Sequence, residues 1–297
     1  WCARRILPLN RQYIKAVLNS LGVSQAFTDK DRAEIALKFR CLSLIDIYWV
    51  RKHKEKIAFS EVNLYENYLD NALAEVSLKG KYLAIYNEDM KNGFAKDIST
   101  NGCFPKAWIS KNNHFQLYKG GKREVVENEV LASKVCQCFD CQQVTYILEE
   151  YGGELVSVSD IMTTKERSIV SREAFEIYAM NEGIDAMKFI LKLDAYSFYM
   201  MNILDYLIGN VDRHCGNWGF FVDNNKNKIY SLHPLMDFNQ SFQAYDNIEG
   251  TRCQTVKPLD MTQKEAALDA VKKIGLNQIK EIDSAWFVGK KKEYDMF

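Results

Sequence analysis

Proline is scarce, at four residues in 297, and no stretch is of low complexity, so the chain marks few linkers and no disordered tract. Neither sign of charge is in excess. The 39 Lys and Arg against 39 Asp and Glu exclude a surface that grips nucleic acid all over and leave room only for a local basic patch. No apolar run is long enough to span a bilayer; the strongest, residues 198–208, is broken by Asn202 and Asp205. The opening W-C-A-R-R-I-L-P-L-N-R holds no apolar export core. No repeat recurs at solenoid periods. The expectation is a soluble, cytoplasmic protein without membrane contact.

What is present is ordinary globular material, with 47% hydrophobic and 26% charged residues. At roughly 150 residues per domain the length suits two domains, and a core of that size needs no disulfide or structural metal. Eight cysteines lie scattered, which without an export signal fits a reducing compartment. Cys136, Cys138 and Cys141 form C-x-C-x-x-C, but no fourth ligand stands at a zinc spacing and the region reads as a helix end. These cysteines are expected to be structural.

Three regions follow from the pattern: 1–91, helical and accessory; 92–162, a small strand-rich lobe; and 163–297, a helical lobe. In the first, residues 12–21 and 29–42 carry apolar positions at helical spacing, with Thr28 or Asp29 as cap. A DNA-reading helix-turn-helix would concentrate Arg and Lys on one helix, and neither helix does so. In the second, a turn-rich loop leads into a strand, and H-F-Q-L-Y-K alternates up to Lys119. A helix over 124–135 and a hairpin around Tyr151-Gly152-Gly153 follow. Beyond Ser159 the pattern predicts mostly helix, including 194–208, with one short hairpin from strands 218–222 and 228–232.

The chemistry concentrates in G-N-V-D-R-H-C-G-N-W-G-F-F-V, residues 209–222, between an apolar helix and a strand. Asp212 and Asn217 stand at D-x-x-x-x-N, the spacing of kinase catalytic loops. There the Asp orients and deprotonates an acceptor hydroxyl while the Asn oxygen reaches a magnesium ion. Twenty residues on, L-M-D-F-N-Q-S-F puts Asp237 where a D-F-G motif holds its metal-binding Asp, with Asn239 in place of Gly. Two oxygen donors suit Mg²⁺, which completes its shell with ATP phosphates and water. His214 is read first as a brace for the loop and Arg213 is given no separate role.

The chain resembles the HipA-like serine/threonine kinases. Asn210, Asp212, His214 and Asn217 match N-x-D-x-H-x-x-N, and Gly102, Pro105 and Lys106 match G-x-x-P-K. The likeness covers residues 96–242; before residue 91 the chain does not resemble the family's usual N-terminal domain. The same loop form is shared, more distantly, with phosphoinositide kinases. The resemblance implies an α+β, protein-kinase-like bilobal fold with a helical N-terminal extension, using ATP and Mg²⁺. It implies Asp212, His214 and Asn217 as catalytic and Asn217 and Asp237 as metal ligands. It also implies a nucleotide set of Ser99, Thr100, Gly102, Lys106, Lys119, Glu129, Asp160 and Met162. Glu129, rather than Glu127, would pair with Lys119, residues 160–162 would border adenine, and Ser99 or Thr100 would be open to self-phosphorylation. The expected partner is an unidentified protein substrate, with an antitoxin-like protein as a further candidate and no direct nucleic acid. The rival readings are a lipid or small-molecule kinase and a nucleotide-binding regulator without turnover.

Overall fold

The computed structural model describes residues 1–21, 28–67, 78, 103–111, 114–242, 251–255 and 261–288. The chain divides into two compact units. The first is Trp1–Gly121 with Glu149–Ser168, and the second is Lys122–Leu148 with Ile169–Phe297. This partition differs from the three sequence regions: residues 1–91 belong with the strand-rich unit, and the helix after Lys119 belongs with the second.

In the first unit, helices α1 (Ile14–Ser20) and α2 (Asp29–Lys38) enclose Ile6, Leu7, Val17, Leu18, Leu21, Ile35 and Phe39. Thr28 is the cap of α2. Its hydroxyl accepts from Asp31 N at 3.1 Å, while the Asp31 carboxylate accepts from Thr28 N at 2.9 Å. A reciprocal cap of this kind is worth about 1 kcal/mol.

The helical expectation fails for residues 42–58, which are irregular up to a single turn, Phe59–Glu61, and a short α3 (Leu64–Asn67). The cause lies in the sequence L-S-L-I-D-I-Y-W-V, whose β-branched residues and near-alternation suit an extended chain rather than a helix. One of its carbonyls, with Cys41 O just before it, is met by a buried side chain. The Arg5 guanidinium donates to Cys41 O at 2.8 and 2.9 Å, to Tyr48 O at 3.2 Å, and to both Asp46 oxygens.

Strands β1 (Lys106–Lys111), β2 (His114–Lys119), β3 (Ile147–Tyr151) and β4 (Glu154–Asp160) form a sheet in the order β1-β2-β4-β3. The register pairs Lys106 with Lys119, Trp108 with Leu117, and Lys119 with Ser157. Directly paired residues share a face. One face, bearing Trp108, Phe115 and Leu117, is covered by Leu42, Leu44, Val62 and Leu64. The other packs Ala107, Ile109, Tyr118, Val156 and Val158 with Leu78.

In the second unit, α4 (Arg123–Cys136), α5 (Arg172–Asn181), α6 (Ala186–Leu207) and α7 (Gln263–Ile274) surround a three-stranded sheet ordered β5-β6-β7. Strand β5 (Arg167–Ser171) stands where helix was expected; the run R-S-I-V-S is short and β-branched. β6 (Gly219–Asp223) and β7 (Lys228–Leu232) form the expected hairpin. Gly219 permits the close approach to β5, since a Cβ there would lie 2.1 Å from Val170 O. Helix α6 begins earlier than expected but kinks at Asp194, whose carboxylate accepts from Ser197 N at 3.1 Å and caps the second half. The predicted start at Asp194 therefore marks a real break. Among the described residues no helix is long and apolar enough to cross a membrane.

Candidate active site

The loop 209–217 leaves the buried end of α6 and enters β6, so its two ends are fixed by packed elements. Its centre is Arg213, which is 1% exposed. The guanidinium meets both oxygens of Asp205, on the last turn of α6, at 2.9 and 3.0 Å. It also donates to Asn217 O at 2.9 Å and to Met236 O at 2.6 Å, and lies over the Phe238 ring. Burial works against the charge on Arg213, but the Asp205 carboxylate outweighs it and the guanidinium is held protonated above its usual range. One buried cation thus ties three segments of the second unit: the end of α6, the exit of the loop, and the residue before Asp237.

Asp212 sits in this frame half-buried. Burial raises its carboxyl above the ordinary aspartate range, and the nearby Asp237 carboxylate adds to the rise, while His214 and Arg213 oppose it. Its carbonyl accepts from Asn217 Nδ2 at 2.9 Å and from His214 N at 2.8 Å. With that amide nitrogen engaged, Asn217 keeps its oxygen for another partner. The His214 ring is exposed and its Nδ1 accepts from Gly216 N at 3.0 Å, a brace within the loop. A Cβ at residue 216 would meet that ring at 2.9 Å, so glycine is what lets the ring fold back.

Asp237 adopts φ 61°, a left-handed conformation that aspartate tolerates better than most side chains. Its N–H donates to Tyr146 Oη at 3.2 Å, and the Tyr146 ring meets Phe238 edge-on at 6.0 Å. Phe238 is fully buried, so the backbone on both sides of Asp237 is fixed. Asn239 is buried as well. On α4, Asn128 Nδ2 donates to Ser241 O at 3.1 Å, linking the helix to the segment after Asp237. Glu129 is 1% exposed, whereas Glu127 is held at the surface by Arg123 at 2.7 Å.

In the first unit Lys106 and Lys119 are both buried, side by side on one sheet face. Gly120 N donates to Pro105 O at 2.8 Å, which holds the start of β1 against the end of β2. Asp160 ends β4 with its carboxylate on the sheet surface, accepting from Gln116 Nε2 at 3.0 Å and lying 2.9 Å from His114 Nε2. Those two partners hold it below the usual carboxylate range. Met162 O accepts from Arg167 Nε at 2.9 Å. Ser99, Thr100 and Gly102 lie outside the described residues.

No protein-family model matches the chain. Over 59 residues, 20% of its length, it is 39% identical to the serine/threonine-protein kinase CtkA of Helicobacter pylori strain J99, a stretch that makes up 17% of that kinase. The HipA structure from the Shewanella oneidensis MR-1 toxin–antitoxin complex of HipA, HipB and operator DNA aligns with 92% of this chain and 72% of its own. That alignment has a TM-score of 0.51 at 13% identity. The chain has the fold of HipA. The crystal structure of the H. pylori proinflammatory kinase CtkA aligns over 57% of this chain and 77% of its own, at TM-score 0.43 and 18% identity.

Within this HipA fold, the residues that sequence reasoning undervalued are Arg213 and Asp205. The only local hint is an aspartate near the end of a mostly apolar helical turn, eight residues before an arginine inside the loop. Among the described residues no cysteine is in a disulfide, and burial pushes the Cys141 thiol up to about 12 and Cys136 well above its usual value, so both stay protonated. Among the described residues no group of three His, Cys, Asp or Glu could hold a metal ion.

Proposed function

We propose that the chain is an ATP- and Mg²⁺-dependent phosphotransferase acting on serine or threonine hydroxyls of a protein. The observation that carries this reading is the Arg213 clamp. A buried guanidinium with four hydrogen bonds orders the Asp212–Asn217 loop and the residue preceding Asp237 as one piece. Such investment in loop geometry suits chemistry that depends on positioning and electrostatics.

Asp212 orients the acceptor hydroxyl and takes its proton as the oxygen attacks; its raised carboxyl is a better base than a surface aspartate. The Asn217 oxygen and the Asp237 carboxylate are two hard donors, which fits an ion that keeps its remaining positions for phosphates and water. Bound there, Mg-ATP supplies the phosphoryl group and neutralises charge on the leaving oxygens. Lys119 and Lys106 are the two ammonium groups offered to the phosphates, and Glu129 is the acidic residue of the nucleotide set. The segment 160–162 borders adenine through its backbone, and Ser99, Thr100 and Gly102 form the phosphate loop. His214 supports Asp212 from the side.

The cytoplasm is the proposed location. The HipA neighbour was solved with HipB and operator DNA, which supports an antitoxin-like protein as a further partner of this chain. Incubating the full chain with γ-labelled ATP and Mg²⁺, in parallel with casein and with mixed phosphoinositide vesicles, tests the assignment. Label on casein serine or threonine is expected. Label on lipid alone would move the activity to the other acceptor class, and no label anywhere would remove it.

A further inference from the structure

The two peptide carbonyls immediately before Asp212 do not point to solvent. Asn210 O accepts from Gln263 Nε2 at 2.8 Å, and Val211 O accepts from Gln254 Nε2 at 3.1 Å. Both glutamines come from the far side of Asp237 in the chain, and both are firmly seated. Gln263 is the first residue of α7, where Thr262 and Glu265 form a reciprocal cap, and its own N–H donates to Thr251 O at 2.8 Å. Gln254 lies between Cys253, whose N–H donates to Met261 O at 2.9 Å, and Thr255, whose hydroxyl donates to Asn202 on α6 at 2.5 Å. Gln263 is 5% exposed and its Oε1 has no hydrogen-bond partner among the described residues. The amide donor of Gln263 is therefore the part of that buried side chain that is engaged, and losing it would leave a buried carbonyl unmet.

Asp212 is therefore gripped from two sides. Arg213 and Asn217 hold the peptides after it, and Gln254 and Gln263 hold those before it. We propose that Gln254 and Gln263 are positioning residues, which fix the backbone of Asp212 and couple it to the segment that follows Asp237. This rests on the phosphotransferase reading. If the Asp212 carboxylate must meet a hydroxyl at hydrogen-bond distance, loss of either grip lets the loop shift and slows transfer without touching the nucleotide.

The test uses the full chain with Gln254→Met, Gln254→Glu and Gln263→Met, and with Asp212→Ala as control. Methionine keeps the volume and removes the donor; glutamate keeps the shape and sets an oxygen against the carbonyl. Turnover of γ-labelled ATP onto casein, the KM for ATP, Mg-ATP affinity by calorimetry and Tm are measured together. The expected result is a fall in kcat of about tenfold or more for Gln254→Met, larger for Gln254→Glu, with ATP KM and affinity within about twofold of the parent. Should Gln263→Met fail to fold, the half-buried Gln254 carries the test. Unchanged kcat in well-folded Gln254→Met and Gln254→Glu overturns the proposal while an inactive Asp212→Ala leaves the phosphotransferase reading standing. Loss of kcat and affinity in step with Tm overturns it too, by showing a merely structural role. A parent chain that transfers no label removes the underlying reading and the proposal with it.

Discussion

Two regions carry charged residues that the proposed chemistry needs, and they are held by opposite means. The loop 209–217 with residues 236–237 is a polar construction. Its geometry rests on one buried cation, one carboxylate partner and side-chain amides on backbone carbonyls. Lys106 and Lys119 instead stand on a sheet whose register and apolar backing place them. In the first region the functional groups are ordered by a buried ion pair lying among them; in the second they are ordered by apolar packing beneath them. Removing the scaffold charge, Arg213, should break the fold in the first, and removing a lysine should largely spare it in the second.

The largest effect expected from that contrast is on Arg213→Ala. It strands Asp205, which is 3% exposed, without its cation, and should cost about 3–5 kcal/mol in urea unfolding. A double variant, Asp205→Asn with Arg213→Met, should recover part of the loss, and a double no better than the single would show that the pair is not what holds the loop.

His233, buried beside this network, gives a pH dependence. Burial lowers its imidazole to about 4, against about 6.5 when unfolded. As pH falls the unfolded chain takes up the proton first, so the stability contributed by neutral His233 is complete above about 6.5. It is lost progressively down to about 4, by up to about 3 kcal/mol. Comparing urea midpoints of the parent and His233→Gln at pH 7 and pH 4.5 checks it; a parallel drop in both would assign the acid lability to other groups.

Asp237→Ala should weaken Mg-ATP binding by about ten- to a hundredfold in calorimetry, because a charged metal donor is gone. Equal affinity would place the metal elsewhere. Lys119→Met is the mildest. It should raise the KM for ATP by about tenfold while lowering Tm by less than Arg213→Ala does, because the register and apolar backing of the sheet stay in place. A collapse of Tm in this variant would erase the contrast between the two regions.

The same contrast explains what could be read from sequence. Asp212, Asn217 and Asp237 stand out as candidates by the fixed spacing of their polar side chains, and the strands to Lys119 were visible by alternation. Arg213 was underrated because its partners, Asp205 and two backbone carbonyls, are joined only by folding. Gln254 and Gln263 are some 40 to 50 positions from Asp212, and nothing local distinguishes them from surface glutamines. The stretch 42–58 departs from helix because its first part is β-branched and near-alternating, and that part is tied down through Asp46 and Tyr48 O by Arg5, a residue far away in sequence. Strand β5 was missed because five residues give too short a pattern to separate strand from helix.

The central claim is that Asp212 performs the proton transfer in a site whose nucleotide is held by other groups. It is tested most directly by comparing the parent with Asp212→Ala in casein labelling from γ-labelled ATP, with Mg-ATP affinity measured on the same preparations. Labelling is expected to fall by about 10²–10⁴-fold while affinity stays within about twofold. Undiminished labelling by a folded Asp212→Ala protein would contradict it.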